Sequence, residues 1–331
     1  MNLSQLFSRQ NRKFNITVLV VVVLYFILQN QVTHLRPDHA FLGLLIISLA
    51  FLGKEKARRF LIDWAPFILF LIAYDMMRGV ADSIRGVIHV QEPYQWEHWL
   101  FAKFFSGEIP AFYLQRVQYE LGDSILRKFL DIMGANFYTL HFTIPLLVGW
   151  VLWHTTNDRK MFYRFAYTLT VLNVMALITF MLYPAAPPWY VYYYGFVQPA
   201  HTSFWGLSAG SLINVDRLLG VHIFSTIWDS FNPNHFAAIP SLHGAYPIVA
   251  ALFLYRKFRR YPVILIIYPL LVWFSAVYLN QHYIIDLIIG GAYLLVAYGI
   301  VEYFLYPKLF TRFLEKKTIP INTNTVLLTE K

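Results

Sequence analysis

The 331-residue chain contains no cysteine. Disulfides, thiolate metal sites and a cysteine nucleophile are therefore excluded, while the redox state of its compartment stays undetermined. Charge is scarce too. Asp, Glu, Lys and Arg make up 14% of residues, well below the roughly 25% of a typical soluble domain. Acids are the minority within that small set, 18 against 27 basic residues, which leaves a formal net charge of +9. Apolar residues fill the space instead: 58% of the chain is hydrophobic, 18% aromatic, and the mean hydropathy is +0.49. These proportions speak against a water-soluble fold, and so many aromatic rings suit a protein with long perimeters at two membrane interfaces.

A basic balance can mark a nucleic-acid partner, but here its distribution points elsewhere. Basic residues fall in short runs between apolar segments, as in Lys54-Glu55-Lys56-Ala57-Arg58-Arg59 and Arg256-Lys257-Phe258-Arg259-Arg260. Cytoplasmic loops facing anionic lipid look like this. No nucleic-acid partner is expected, and no feature names a protein partner.

Apolar segments recur at residues 14–28, 39–52, 60–74, 137–153, 165–182, 244–255, 261–279 and 283–305. The expected fold is all-α, a polytopic membrane helix bundle of about 6–8 transmembrane helices. Several segments are shorter than the ~20 residues a crossing needs, so flanking Trp, Tyr and His must complete them at the interfaces. The first follows Arg9, Arg12 and Lys13 without a small-x-small cleavage site, and reads as a retained span. With the N-terminus inside, most basic residues fall on inner segments, leaving Arg36, Arg78, Arg85, Lys103, Arg116, Arg127, Lys128 and Arg217 opposite. Both termini are therefore expected to be cytoplasmic, in a bacterial inner membrane or its equivalent.

Two long connections, 75–136 and 183–243, then lie together on the outer face, periplasmic or lumenal. Structureless loops of that length are uncommon in compact proteins, so interfacial helices are expected there. The first contains a seven-residue near-repeat, Asp75-Met76-Met77-Arg78-Gly79-Val80-Ala81 followed by Asp82-Ser83-Ile84-Arg85-Gly86-Val87-Ile88. A helix would align Arg78 with Arg85, either as part of an interfacial helix with internal Asp–Arg pairs or as phosphate ligands. The chain divides by this reading into 1–136, N-terminal helices with the outer segment; 137–306, a catalytic core; and 307–331, a cytoplasmic tail.

Chemistry concentrates at two places. Ala238-Ile239-Pro240-Ser241-Leu242-His243-Gly244-Ala245 directly precedes an apolar segment, and Pro and Ser are natural helix-start residues. His243 then falls in a first helical turn, where free N–H groups attract anions; alternatively it merely faces the interface from a capped helix. The second is Ser275-Ala276-Val277-Tyr278-Leu279-Asn280-Gln281-His282-Tyr283-Ile284-Ile285-Asp286. His282 and Asp286 are spaced i, i+4 and share a helix face, as a functional or a purely structural pair. Counting crossings places both histidines on the outer face.

Pro-Ser-x-His followed about forty residues later by Tyr-Leu-x-x-His-Tyr-x-x-Asp resembles the type-2 phosphatidic acid phosphatase superfamily. Tyr183-Pro184-Ala185-Ala186-Pro187-Pro188-Trp189-Tyr190, Leu140-His141-Phe142 and the Ala237–His243 stretch are most similar to its inositol phosphorylceramide synthase branch. The resemblance implies that His282 attacks phosphorus, Asp286 orients its other ring nitrogen, and His243 protonates the departing oxygen and later deprotonates the incoming hydroxyl. It also implies membrane-lipid partners: a phospholipid donor, and a lipid alcohol or water as acceptor. Transfer of a phosphoinositol-like head group to a lipid such as ceramide is the implied reaction. The alternatives are a lipid phosphate or polyprenyl (di)phosphate phosphatase using the same site, or a non-catalytic transporter.

One departure stands out. Phosphatases of this superfamily begin their last motif with Ser-Arg, whereas this chain has Ser275-Ala276. A phosphate-binding cation is missing, and transition-state charge must be offset elsewhere. Arg78 and Arg85 are candidates, with Arg217 and Lys103 as competitors. Ser241, Tyr278, His141 and Trp189 complete the expected substrate-binding set, although the Pro187–Tyr190 turn and Tyr192, Tyr193 and Tyr194 read equally as an aromatic belt. No cofactor and no metal is expected, although His141, His243 and His282 could in principle gather around zinc.

Overall fold

The computed structural model describes residues 60–70, 72–74, 86–155, 159–199, 208–232, 234–260 and 262–310, together with isolated helical positions 16, 20, 23, 24, 27 and 58. Segment 39–52, Arg78 and Arg85 lie outside the described residues. Throughout the described residues the architecture is helical, with only isolated β-bridges. An apolar helix α1 (Phe60–Tyr74) is followed by α2 (Gln91–Phe101), α3 (Pro110–Leu121), α4 (Ile125–Thr155) and α5 (Lys160–Leu182). Three short helices come next: α6 (Pro188–Tyr194), α7 (Leu212–Leu219) and α8 (Phe224–Phe231). The chain then forms α9 (Leu242–Phe258), α10 (Ile264–Tyr278) and α11 (Ile284–Gly299), the last continuing as π-helix over Ile300–Phe310.

Ile125–His154, Lys160–Leu182 and Ile284–Pro307 are long and apolar enough to cross a membrane; α1 and α10 are shorter apolar helices. Both long polar connections contain helices. The helix expected over 137–153 starts twelve residues earlier, at Ile125. Its charged first turns hid it from an apolar reading, yet Arg127 pairs with Asp131 one turn on, and Lys128 with Asp123 just before the helix.

The bundle is held where α9 and α11 cross in backbone contact. Gly244 of α9 lies so close to Leu287 that an added Cβ would come within 2.3 Å of its carbonyl oxygen; at Gly290 of α11 the same atom would stand 2.0 Å from the Ser241 carbonyl oxygen. Only glycine permits this approach. Ser241 N–H completes the junction by donating to the Asp286 carbonyl at 3.1 Å. α9 also packs against α4 and α10, and one core gathers Phe60, Trp64, Phe67, Leu152, Phe162, Phe165 and Phe253 from α1, α4, α5 and α9. A second core, around Ile109, Tyr138, Val277, Tyr278 and Tyr283, underlies the other end. Above it, the connections are stitched together through Ala185, which bridges both His89 and Ala237.

Candidate active site

Local sequence explains how each histidine is presented. Ser241 takes the N-cap of α9 with extended backbone, and its Oγ accepts from Gly244 N–H at 3.3 Å. His243 therefore occupies the first turn, as its Pro-Ser-x-His context suggested. At the end of α10 the chain turns through Asn280 at φ +63°, a left-handed conformation that asparagine tolerates better than most residues. Gln281 and His282 then both donate their N–H groups to the Ala276 carbonyl, at 3.0 and 3.2 Å. This tight reversal hands His282 to the start of α11.

The expected trio converges. His282 Nδ1 lies 3.3 Å from Asp286 Oδ2, and His282 Nε2 lies 3.1 Å from His243 Nδ1. Asp286 is wholly buried; its Oδ2 also accepts from Tyr283 N–H at 3.0 Å, while Oδ1 has no partner. A carboxylate on Nδ1 fixes the tautomer in which the His282 Nε2 lone pair points at His243. The Nε2 of His243 also lacks a partner. Aromatic rings clamp His243: Tyr138 stacks at 4.1 Å between centroids, and His141 approaches to 3.5 Å. His141 is itself fixed, because its Nδ1–H donates to the Tyr138 carbonyl at 2.5 Å.

A cavity of about 340 Å³ opens onto these rings, at the lower end of the range of small-molecule sites. Its walls are mostly apolar and aromatic, with His141, His235, His243, His282, Asn232, Asn234 and Gln281 among the polar lining. No Lys or Arg lines it among the described residues. Lys103 instead rests on Phe104, 4.8 Å from the ring centroid, and Arg217 is exposed; neither lines the cavity. With Arg78 and Arg85 outside the described residues, the polar groups seen to line the cavity are imidazoles, amides and hydroxyls.

Of the remaining expected residues, Trp189 lines the cavity, its backbone N–H donating to the Asn280 carbonyl at 3.0 Å. Ser241 and Tyr278 do not line it. The Ser241 hydroxyl serves as the helix cap, and the Tyr278 hydroxyl donates to Asp131 at 2.6 Å. Among the described residues no cluster of three His, Cys, Asp or Glu has metal-binding geometry.

Sequence reasoning missed Tyr138, Gln281 and above all Glu97. Glu97 lies on α2 in a Trp-rich stretch, and no motif contains it. A signal did exist. Pro93 and Glu97, spaced i, i+4, are the buried pair of α2, whereas Trp96 and Trp99 are exposed. That inversion of the soluble pattern becomes readable only once the helix is placed in a membrane protein.

Comparison with known proteins shows the family. The family model of the PAP2 superfamily matches residues 126–300, the stretch from α4 to the end of α11. The phosphoinositol dihydroceramide synthase of Bacteroides thetaiotaomicron is 31% identical over 297 residues, 88% of this chain and 93% of that protein. The inositol phosphorylceramide synthase of Candida albicans is 33% identical over 54% of this chain and 37% of its own length. The inositol phosphorylceramide synthase catalytic subunit of Saccharomyces cerevisiae is likewise 33% identical, over 55% of this chain and 44% of its own. The chain thus spans less than half of either fungal relative. No solved structure matches the chain.

Proposed function

Because the chain belongs to the PAP2 superfamily, we propose that this membrane enzyme moves a phosphoinositol-like head group from a phospholipid to the hydroxyl of a second lipid such as ceramide. One observation carries the reading: His282 Nε2 and His243 Nδ1 face each other at 3.1 Å on the wall of an apolar cavity, with Asp286 behind the first ring. Two imidazoles so placed can share one phosphorus atom. His282 Nε2 forms the bond to phosphorus as the bond to the donor's lipid oxygen breaks, and protonated His243 hands that oxygen its proton. In the second half His243 takes the proton of the acceptor hydroxyl, whose oxygen bonds to phosphorus as the P–Nε2 bond breaks. Asp286 holds the tautomer and offsets the positive charge that develops on His282. Such acid–base help is worth about 10²–10⁴-fold.

His141 and Trp189 border the substrate, Ser241 acts by capping α9, Tyr278 acts through the Asp131 carboxylate that its hydroxyl holds, and Arg78 and Arg85 supply cations to the phosphate. The bundle crosses the membrane about 6–8 times, with both termini cytoplasmic, residues 307–331 as a cytoplasmic tail, and α2, α3 and α6 at the outer interface. The basic runs and the aromatic rings exposed on α2 and α6 support that orientation. An apolar-walled site favours a lipid alcohol over water as acceptor.

Purified protein incubated with phosphatidylinositol and ceramide should yield inositol phosphorylceramide, detected by mass spectrometry. Water-dependent release of phosphate or inositol phosphate, with no lipid product from any alcohol offered, would replace the transferase by a phosphatase.

A further inference from the structure

We infer that Glu97 is a positioning residue: its carboxylate holds the start of α11 so that Asp286 stays free to orient His282. The inference rests on the assignment of His282 and Asp286 as the reacting pair. Glu97 is completely buried, and its partners are backbone groups of another helix. Oε1 accepts from Ile284 N–H at 2.9 Å and Oε2 from Ile285 N–H at 3.1 Å.

A helix start leaves its first N–H groups without intrahelical partners, and a Ser, Thr, Asp or Asn at the N-cap usually takes one. α11 has Tyr283 at that position. The helix carries instead an acid in its first turn, Asp286, whose Oδ2 already accepts from Tyr283 N–H. An acid at this position naturally folds back toward the helix start. Without Glu97, the Ile284 and Ile285 N–H groups would compete for the Asp286 carboxylate in the same helical turn, whose Oδ1 has no partner. Glu97 removes that competition by satisfying both N–H groups from α2. The Asp286 oxygen facing His282 then keeps its place.

The position of Glu97 also favours control over binding. It does not line the cavity and reaches neither histidine, so any effect on the reaction passes through α11. Glu92 on the same helix pairs with His89 at 3.0 Å, is half-exposed, and serves as the control.

The test compares Glu97→Gln, Glu97→Ala and Glu92→Gln in detergent-purified full-length protein. Glutamine keeps the shape but presents an amide N–H₂ to one of the two backbone N–H donors. Its kcat should fall about 10–100-fold, the cost of a small misplacement of a reacting group, with KM changed less than about threefold and the melting midpoint close to the parent's. Alanine should lower both kcat and the midpoint, and Glu92→Gln should change neither. Cryo-electron microscopy of Glu97→Gln should show His282 Nδ1 and Asp286 Oδ2 separated beyond hydrogen-bond distance. A folded Glu97→Gln protein with parental kcat, a loss confined to KM, or an unchanged His282–Asp286 pair would overturn the inference. If the parent proves to be a hydrolase, the transferase reading fails while the same kcat comparison on hydrolysis still judges Glu97. If it turns over no phosphoester, the His282–Asp286 distance alone decides.

Discussion

Two aspartates buried at different levels of the bundle meet the cost of burial in different ways. Asp63, on α1, is saturated: Oδ1 accepts from the Tyr163 hydroxyl at 2.7 Å, and Oδ2 from Trp153 Nε1 at 2.8 Å and from the Arg159 guanidinium. Asp286, the more deeply buried, has one oxygen shared between Tyr283 N–H and His282 and the other bare. Trp153 stands about 18 Å further along α4 than His141, at 1.5 Å per residue, so the two carboxylates mark separate layers of one bundle. An uncompensated buried carboxylate is expensive, and a structure tolerates it where the group does something besides hold the fold. A closed pair with a cation is what stability alone would select. The open pair, beside a cavity, is what the proposed attack by His282 requires.

That contrast can be broken from either side. His282→Ala should remove transfer by about 10⁴-fold or more while leaving a folded protein, since the side chain faces a cavity. Asp286→Asn should cost about 10²–10⁴-fold in kcat through the wrong His282 tautomer, with a melting midpoint equal to or above the parent's. Asp63→Asn should do the reverse. Removing the acid strands Arg159 and costs about 3–5 kcal/mol of stability, while kcat per folded molecule is kept. Assays of transfer against thermal unfolding in one detergent separate the two; an Asp63 variant that is stable but inactive would erase the distinction. Gly290→Ala comes next, at about 1–3 kcal/mol for overpacking, and it damages both properties because Ser241 and Asp286 meet at that crossing.

The convergence of His243, His282 and Asp286 was legible in the sequence because its signals are local. A Ser cap fixes His243 in a first turn, and an i, i+4 spacing fixes Asp286 beside His282. What could not be read involves partners far apart in the chain. Glu97 meets residues 187 and 188 positions away, and Tyr278, expected at the substrate, spends its hydroxyl on Asp131. Helix limits failed where charge interrupts the apolar pattern. Arg127, Lys128 and Asp131 mask the first turns of α4 because their pairing is invisible to hydropathy. The glycine crossing was hidden as well: Gly244 and Gly290 are unremarkable singly, and only the close approach of α9 and α11 gives them a purpose.

The smallest expected effect concerns pH, and it sharpens the contrast at Glu97. Burial raises this carboxyl from 4.5 to about 7, against the lowering influence of the Ile284 and Ile285 N–H groups; the Asp286 charge adds to the rise. Tyr283 of α11 and Tyr94 of α2 are the other titratable groups of this cluster. With its folded value above its unfolded one, Glu97 contributes stability that is fully present below about 4.5 and lost as pH rises through about 7. The positioning role has the opposite sign, because a protonated carboxyl carries a hydrogen on one of the two oxygens that α11 needs. Stability should therefore fall, and kcat rise, across the same window. Melting midpoints and kcat measured at steps from pH 5 to 8 should both flatten in Glu97→Gln relative to the parent. Parallel rather than opposed slopes in the parent would mean that the carboxylate merely fills space beneath α2.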